Sequence, residues 1–449
     1  MLSDFLENHF PTAEAKASMA ERKSYLRALP DVPISSPLLT VAIETLCLAH
    51  AGTKYMDSRL VHQSQASYGR VLHNLVKALD RPATQTQQQH HNAIIASILL
   101  LTLYNDPLPA LDQNFDGWAA HYWGAQRYIE SRGTSCLNFN QPFERLLLMN
   151  MRMPSLFIGV AQRSSIVFGK QEWIDYMDKR SYTARTLANL FNRTMRVPAL
   201  LERTDRLLSQ ELDRQQLKSL CHDLCALLDD LLYWHKYEAG PSREDRIPLV
   251  DSSNLEAFDA GIEEHCFISS SSTFTTHFDF GTGHDRMKDD ATLYWTFSLI
   301  LNCILLRLLH FQPLTADYIA ARTPGSILED ATHCATNMCR SIYSKSMENS
   351  LAVIAWVDLL VSLAQNFFEE IGAFKEFGWC QAARIATQLR LERVKATTAR
   401  TLCRIADVAP GFAIVTQFKA LKPLKVEFCP RAHINAGAPS RGCPVTGIT

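Results

Sequence analysis

The stretch Leu293–Leu309, LYWTFSLILNCILLRLL, is the longest apolar run in the chain. It has no alternation of period two and no turn residues, so it reads as helix rather than strand. Asn302 and Arg307 interrupt it, and it is shorter than the roughly 20 residues a membrane-spanning helix needs. The expectation is a core helix buried on all sides, around which a large helical body is assembled.

Helical patterns extend outward from it in both directions. On the C-terminal side they cover Ile327–Ser344, Ala352–Ile371, Trp379–Arg390 and Ala396–Ala406. On the N-terminal side, Leu38, Val41, Ala42, Thr45, Leu46 and Ala49 share one face of a helix opened by Ser36 as N-cap and Pro37 at its first position. Tyr68, Val71, Leu72, Leu75, Val76 and Leu79 form a second such face, which should stop near Asp80 because Pro82 follows. Gln85–Gln89 reads as a polar connector, Ile94–Tyr104 as a central helix ended by Asn105-Asp106-Pro107, and Trp118–Arg132 as a helix capped by Gly133.

Phe143–Phe157 is apolar and interrupted at Pro154, and Leu187–Trp234 carries amphipathic helices with Leu212 among their apolar positions. Ala239–Asn254 and Ser269–Asp290 read as exposed loops, and no alternating segment argues for a strand. The expectation is an all-α fold: one large helical body of residues 1–406, in two loosely separated halves, with loops near 239–254 and 269–290. A C-terminal extension, 407–449, reads as disordered from about 431.

Composition agrees with a globular protein: 449 residues, 47% hydrophobic and 20% charged. The net charge of -1 leaves room for a local basic patch but gives no easy argument for nucleic-acid contact, and short groups such as Lys419–Lys425 read as solvated surface. The N-terminus shows no secretory pattern. The 12 cysteines are scattered, mostly within apolar helical patterns, which suggests core residues in a reducing compartment.

Several groups could carry chemistry. Cys221-His222-Asp223-Leu224-Cys225 places two thiols on one helix face, but a closed zinc site needs two further ligands and no partner pair is apparent; helix packing is the simpler reading. Asp229-Asp230 and Asp289-Asp290 have the look of diphosphate–magnesium pairs, yet no accompanying metal motif follows in a later helix. His90-His91 lies in a loop, and His121 sits among Trp118, Tyr122 and Trp123 as a packed residue. His265, His277 and His284 read as packed residues in the same way, although His277 and His284, with Asp279 and Asp285, leave room for a general base in a polar loop. No nucleophile elbow, phosphate loop or dinucleotide fingerprint is present. No catalytic residue, metal ligand or cofactor is therefore assigned.

Other segments carry a family resemblance. Ser36-Pro37-Leu38-Leu39, the helix carrying Tyr68, and the apolar Ile94–Tyr104 come first. They are followed by Trp118-Ala-Ala-His121-Tyr-Trp-Gly124-Ala125 and Ser131-Arg132-Gly133. Then come Leu293-Tyr294-Trp295, Ala331–Ile342 with Cys339 and Ile342, Trp356–Phe368, and Trp379–Arg393. In this order and spacing the chain resembles the fungus-specific transcription factor domain, the helical regulatory domain of fungal binuclear zinc-cluster factors, from about Leu2 to Ala406.

That resemblance implies a nuclear, or else cytoplasmic, regulator of secondary-metabolite genes. It would act through protein partners or a small-molecule ligand, and a homo-oligomer is compatible with it. The family's basic, cysteine-paired zinc module has no counterpart here, since Cys47 is the first cysteine and stands alone. No sequence-specific DNA binding and no membrane association are expected. The rival expectation is a cyclase- or isomerase-type enzyme of natural-product biosynthesis built on the same scaffold. Under either expectation Trp118, Trp123, Trp295 and Trp379 belong to the core.

Overall fold

A computed structural model describes residues 24–29, 36–79, 88–104, 115–178, 186–210, 213–240, 244–251, 273–274, 276–278, 285–319, 322–346 and 351–403. The expected tail, together with Leu212, His265, Asp279, His284 and Lys419–Lys425, lies outside the described residues. The architecture is all-α. In chain order the helices are α1 (Ser24–Ala28), α2 (Pro37–Tyr55), α3 (Ser58–Leu79), α4 (Gln88–Tyr104), α5 (Phe115–Arg132), α6 (Pro142–Gln162) and α7 (Gln171–Asp178). They continue with α8 (Thr186–Thr194), α9 (Val197–Ser209), α10 (Arg214–Tyr233), α11 (Asp285–Phe311), α12 (Pro324–Ser346), α13 (Leu351–Glu370) and α14 (Phe374–Cys403).

Two arrays of helices are joined by a central group. In the first, α2 packs on α3 and α4, and α6 packs on α4 and α5. In the second, α11, α12, α13 and α14 pack in sequence. Between them α8, α9 and α10 lie against α11, and α9 also touches α6. One continuous cluster of buried side chains runs from Tyr25 to Ala383 through both arrays. The opening stretch is its centre: Trp295, Phe297, Leu301, Leu305 and Leu308 are fully buried. The helix itself, Asp285–Phe311, is longer than the apolar run, because a polar stretch extends it at the N-terminal end and His310-Phe311 at the other. Asp290–Phe311 thus has the length and composition to cross a membrane, but 89% of its apolar window is buried inside the protein.

Several local expectations need correction. Ser36 occupies the N-cap in extended geometry, yet its side chain caps nothing. Val76 is 57% exposed, because the buried edge of α3 runs through Val71, Leu75 and Ala78 instead. The helix α4 begins at Gln88, so His90 and His91 are helical.

The helix α6 continues through Pro154, its two sides held by buried Met151, Leu156 and Ile158. Packing of that face outweighs the lost backbone bond. The two C-terminal patterns form a single helix, α14. The loops contain two short strands, β1 (Leu249–Asp251) and β2 (Thr276–Phe278), paired antiparallel with Val250 opposite His277. Three residues per strand are too few for a visible alternation. The Gly133 cap is as expected, with φ of 71° and its N–H donated to the Ile129 carbonyl at 2.9 Å.

Candidate functional site

The helix α10 does not stop cleanly. It runs into a π-helical turn, Trp234–Glu238, a wider winding that is rare and often found at functional positions. The turn deals its side chains to separate tasks. Trp234 enters the core, and Glu238 accepts from Arg193 Nη2 at 2.7 Å and from Nη1 at 3.1 Å. His235 lies flat on the Tyr294 ring of α11, with centroids 4.2 Å apart and planes within 6°.

The chain then passes Gly240 into a 3-10 turn, Glu244–Arg246, which brings a carboxylate to the same junction. Glu244 Oε2 lies 2.8 Å from His333 Nε2 of α12. One helical turn on from His333, the fully buried Asn337 places Nδ2 3.0 Å from the same ring nitrogen. When Nε2 carries a proton and donates it to Glu244, it cannot also accept from the amide, and the amide then serves the Glu244 carboxylate, with which it also interacts. The carboxylate thus accepts from both imidazole and amide. Asn337 Oδ1 is buried with no partner.

The electrostatics follow from these contacts. The hydrogen bond to Glu244 raises the His333 pKa above the ordinary imidazole value; burial opposes this, and the charges of Glu244 and Asp330 add to it, with Arg340 working against. Burial acts to raise the Glu244 pKa, but the hydrogen bond and charge of His333, the Asn337 amide and His235 outweigh it, and the carboxyl sits below its usual range. Burial raises the Tyr294 phenol further, against a hydrogen bond from Ser298. The pair is a proton-holding arrangement of the acid–base kind, with the imidazole side chain 57% exposed.

The positions singled out from sequence fare differently. Asp229 and Asp230 do not converge: Asp229 pairs with Arg322, and Asp230 lies 3.7 Å from Arg196. Arg322 also reaches Asp330, at 3.7 Å, so Asp229 borders the Glu244–His333 site through this arginine. Cys221 and Cys225 face the core, whereas His222 points out, 82% exposed, so the three cannot ligate together. Burial lifts the Cys221 thiol to about 12, the value also reached by Cys136 and Cys303, which removes them as nucleophiles near neutrality.

His91 Nδ1 bonds the Tyr128 hydroxyl at 2.6 Å, and His121 Nε2 bonds the Tyr68 hydroxyl at 2.9 Å. His277 is buried on β2 rather than exposed in a loop, and Asp290 is buried at the start of the apolar part of α11. The side chains of Asp285, Asp289 and Trp118 lie outside the described residues. Among the described residues no three His, Cys, Asp or Glu side chains converge as a metal-binding group.

Sequence reasoning passed over His235, Glu244, His333 and Asn337. Only the four-residue spacing of His333 and Asn337 on one helix face was visible beforehand. No family model, curated protein or solved structure matches the chain.

Proposed function

We propose that this chain is a transcription-regulator-like protein of the kind its sequence resembles, the helical regulatory domain of fungal zinc-cluster factors, acting in secondary-metabolite gene control. The supporting observation is where the resembling segments lie. The Trp118–Gly133 segment is α5 with its glycine cap, and Leu293–Trp295 is in α11. Ala331–Ile342 is in α12, and the Trp356 and Trp379 segments are in α13 and α14, packed in that order. The resemblance implies an all-α body, and the architecture is all-α. It acts through protein partners or a small-molecule ligand, in the nucleus, and its net charge of -1 gives it no general hold on DNA.

The Glu244–His333 pair favours a second reading, an enzyme of the cyclase or isomerase type whose chemistry is proton transfer. Deleting the gene in its own organism separates the two. The regulator reading expects a set of biosynthetic transcripts to fall. Normal transcripts with one accumulating intermediate would overturn it in favour of the enzyme.

A further inference from the structure

We propose that Arg152 of α6 is the receptor for a small oxyanion, a carboxylate or phosphate group, bound beside α7 and α8. The inference stands on the hydrogen bonds around one buried side chain and holds whether the protein is a regulator or an enzyme.

Arginine carries five N–H donors, no acceptor and a permanent charge. A buried arginine is therefore ordinarily matched by a carboxylate, which supplies both charge and lone pairs. Arg152 is 2% exposed and has no such match. Its Nη2 donates to Asn192 Oδ1 of α8 at 2.6 Å, a neutral acceptor. Its Nε and Nη1 are buried with no hydrogen-bond partner. Burial draws the guanidinium down to about 10, so it is still charged at neutral pH.

The carboxylate whose charge acts on Arg152 is Asp178. Asn192 stands between the two, because its Nδ2 donates to Asp178 Oδ1 at 2.6 Å. The amide turns its oxygen to the cation and its NH2 to the anion, and so holds them apart. Asp178 itself is exposed at the end of α7, where water and salt screen its charge. Through Asn192 the guanidinium is thus two hydrogen bonds from an exposed side chain, a short way in for a small ligand.

Ser155 adds a further open donor. It lies three residues on from Arg152, a spacing that puts both on one face of α6, and it is fully buried. Buried hydroxyls in the protein's helices commonly return to the preceding turn: Ser97 Oγ donates to the Ala93 carbonyl and Thr204 Oγ1 to that of Leu200, each at 2.7 Å. The Ser155 hydroxyl makes no such bond and has no other partner. Two unfilled nitrogens of a cation and an unfilled hydroxyl on the same face call for a group rich in acceptors and negatively charged. Water answers the first need and leaves the charge uncompensated; an oxyanion answers both.

Thermal unfolding of the full chain tests this, with inorganic phosphate or acetate replacing chloride at constant ionic strength. In the wild type the midpoint should rise along a saturating curve with at least one of the two anions, as binding to the folded state requires. Saturation by phosphate alone assigns a phosphate group, and saturation by acetate alone a carboxylate. In Arg152→Met the rise should be absent or need at least about tenfold more anion, since a charge-assisted bond is lost. Wild-type curves that stay flat with both anions would overturn the proposal. An equal rise in Arg152→Met would do the same, by assigning the effect to the general action of these salts on protein surfaces. If that variant does not fold, Ser155→Ala decides: its curve should move several-fold toward weaker binding, and an unmoved curve would overturn the site.

Discussion

At the scale of single residues, Trp295 and Arg152 represent opposite ways of filling the interior. Trp295 is fully buried and stacked on Phe278, with ring centroids 5.0 Å apart and planes within 16°. Trp295→Ala should cost about 3–5 kcal/mol in a denaturant titration, because the surrounding helices cannot close the space left behind. Arg152 is 2% exposed, and only its Nη2 has a partner, Asn192 Oδ1 at 2.6 Å; Nε and Nη1 have none. Burial pulls this guanidinium down to about 10, against the charge of Asp178. A cation so poorly compensated contributes chiefly through its methylene stem. Arg152→Met is therefore expected to unfold within about 1 kcal/mol of wild type, and Arg152→Ala to be less stable than Arg152→Met. A large loss in Arg152→Met would assign the charge itself a structural role.

At the scale of elements, two glycines separate close packing from helix propensity. Gly159 of α6 sits where a Cβ would come 2.5 Å from Ile166 Cγ2 and 3.0 Å from the Pro198 ring of α9. The close approach of α6 to α9, one of the links between the two arrays, depends on the missing side chain. Gly159→Ala should destabilise by about 1–3 kcal/mol. Gly124 of α5 is exposed, and its Cβ would meet nothing within 4 Å. Gly124→Ala should stabilise by about 0.5–1 kcal/mol, since alanine restricts the unfolded chain and propagates helix better. Thermal melts of the two variants should move in opposite directions. The same scale explains Pro154: one missing N–H in α6 is outweighed by a face that is buried before and after it.

At the scale of the whole molecule, the buried core is continuous through both arrays, and charge balance sets what the surface attracts. With 45 basic against 46 acidic residues, phosphate contacts have no general electrostatic support. The purified chain is expected to retain a DNA probe only weakly, with retention that disappears between low and physiological salt. A discrete, competitor-resistant shift in a gel would contradict this. Zinc is expected at well under one ion per chain by elemental analysis, because the described cysteines are buried singly or in packed pairs such as Cys339 and Cys380, whose sulfurs are 3.6 Å apart. Stoichiometric metal surviving dialysis against a mild chelator would contradict that expectation.

The sequence by itself determined the helical class, the central place of Leu293–Leu309 and the Gly133 cap. Each is a local matter: apolar period and backbone freedom at glycine act over a few residues. It also placed Trp295 and Trp379 in the core, while Trp123 is only partly buried and spends its indole N–H on Gln162 at 2.7 Å. The tertiary structure alone decided the rest. The course of α6 through Pro154, the fusion of two patterns into α14, and the β1–β2 pair depend on neighbours distant in the chain. So does the Glu244–His333 site, whose partners are separated by 89 residues. Its groups carry no shared period or motif, because what joins them is the packing of a π turn and a 3-10 turn onto two helices. Proximity of that kind, and the shifts in proton affinity that follow from it, exist only once the chain has folded.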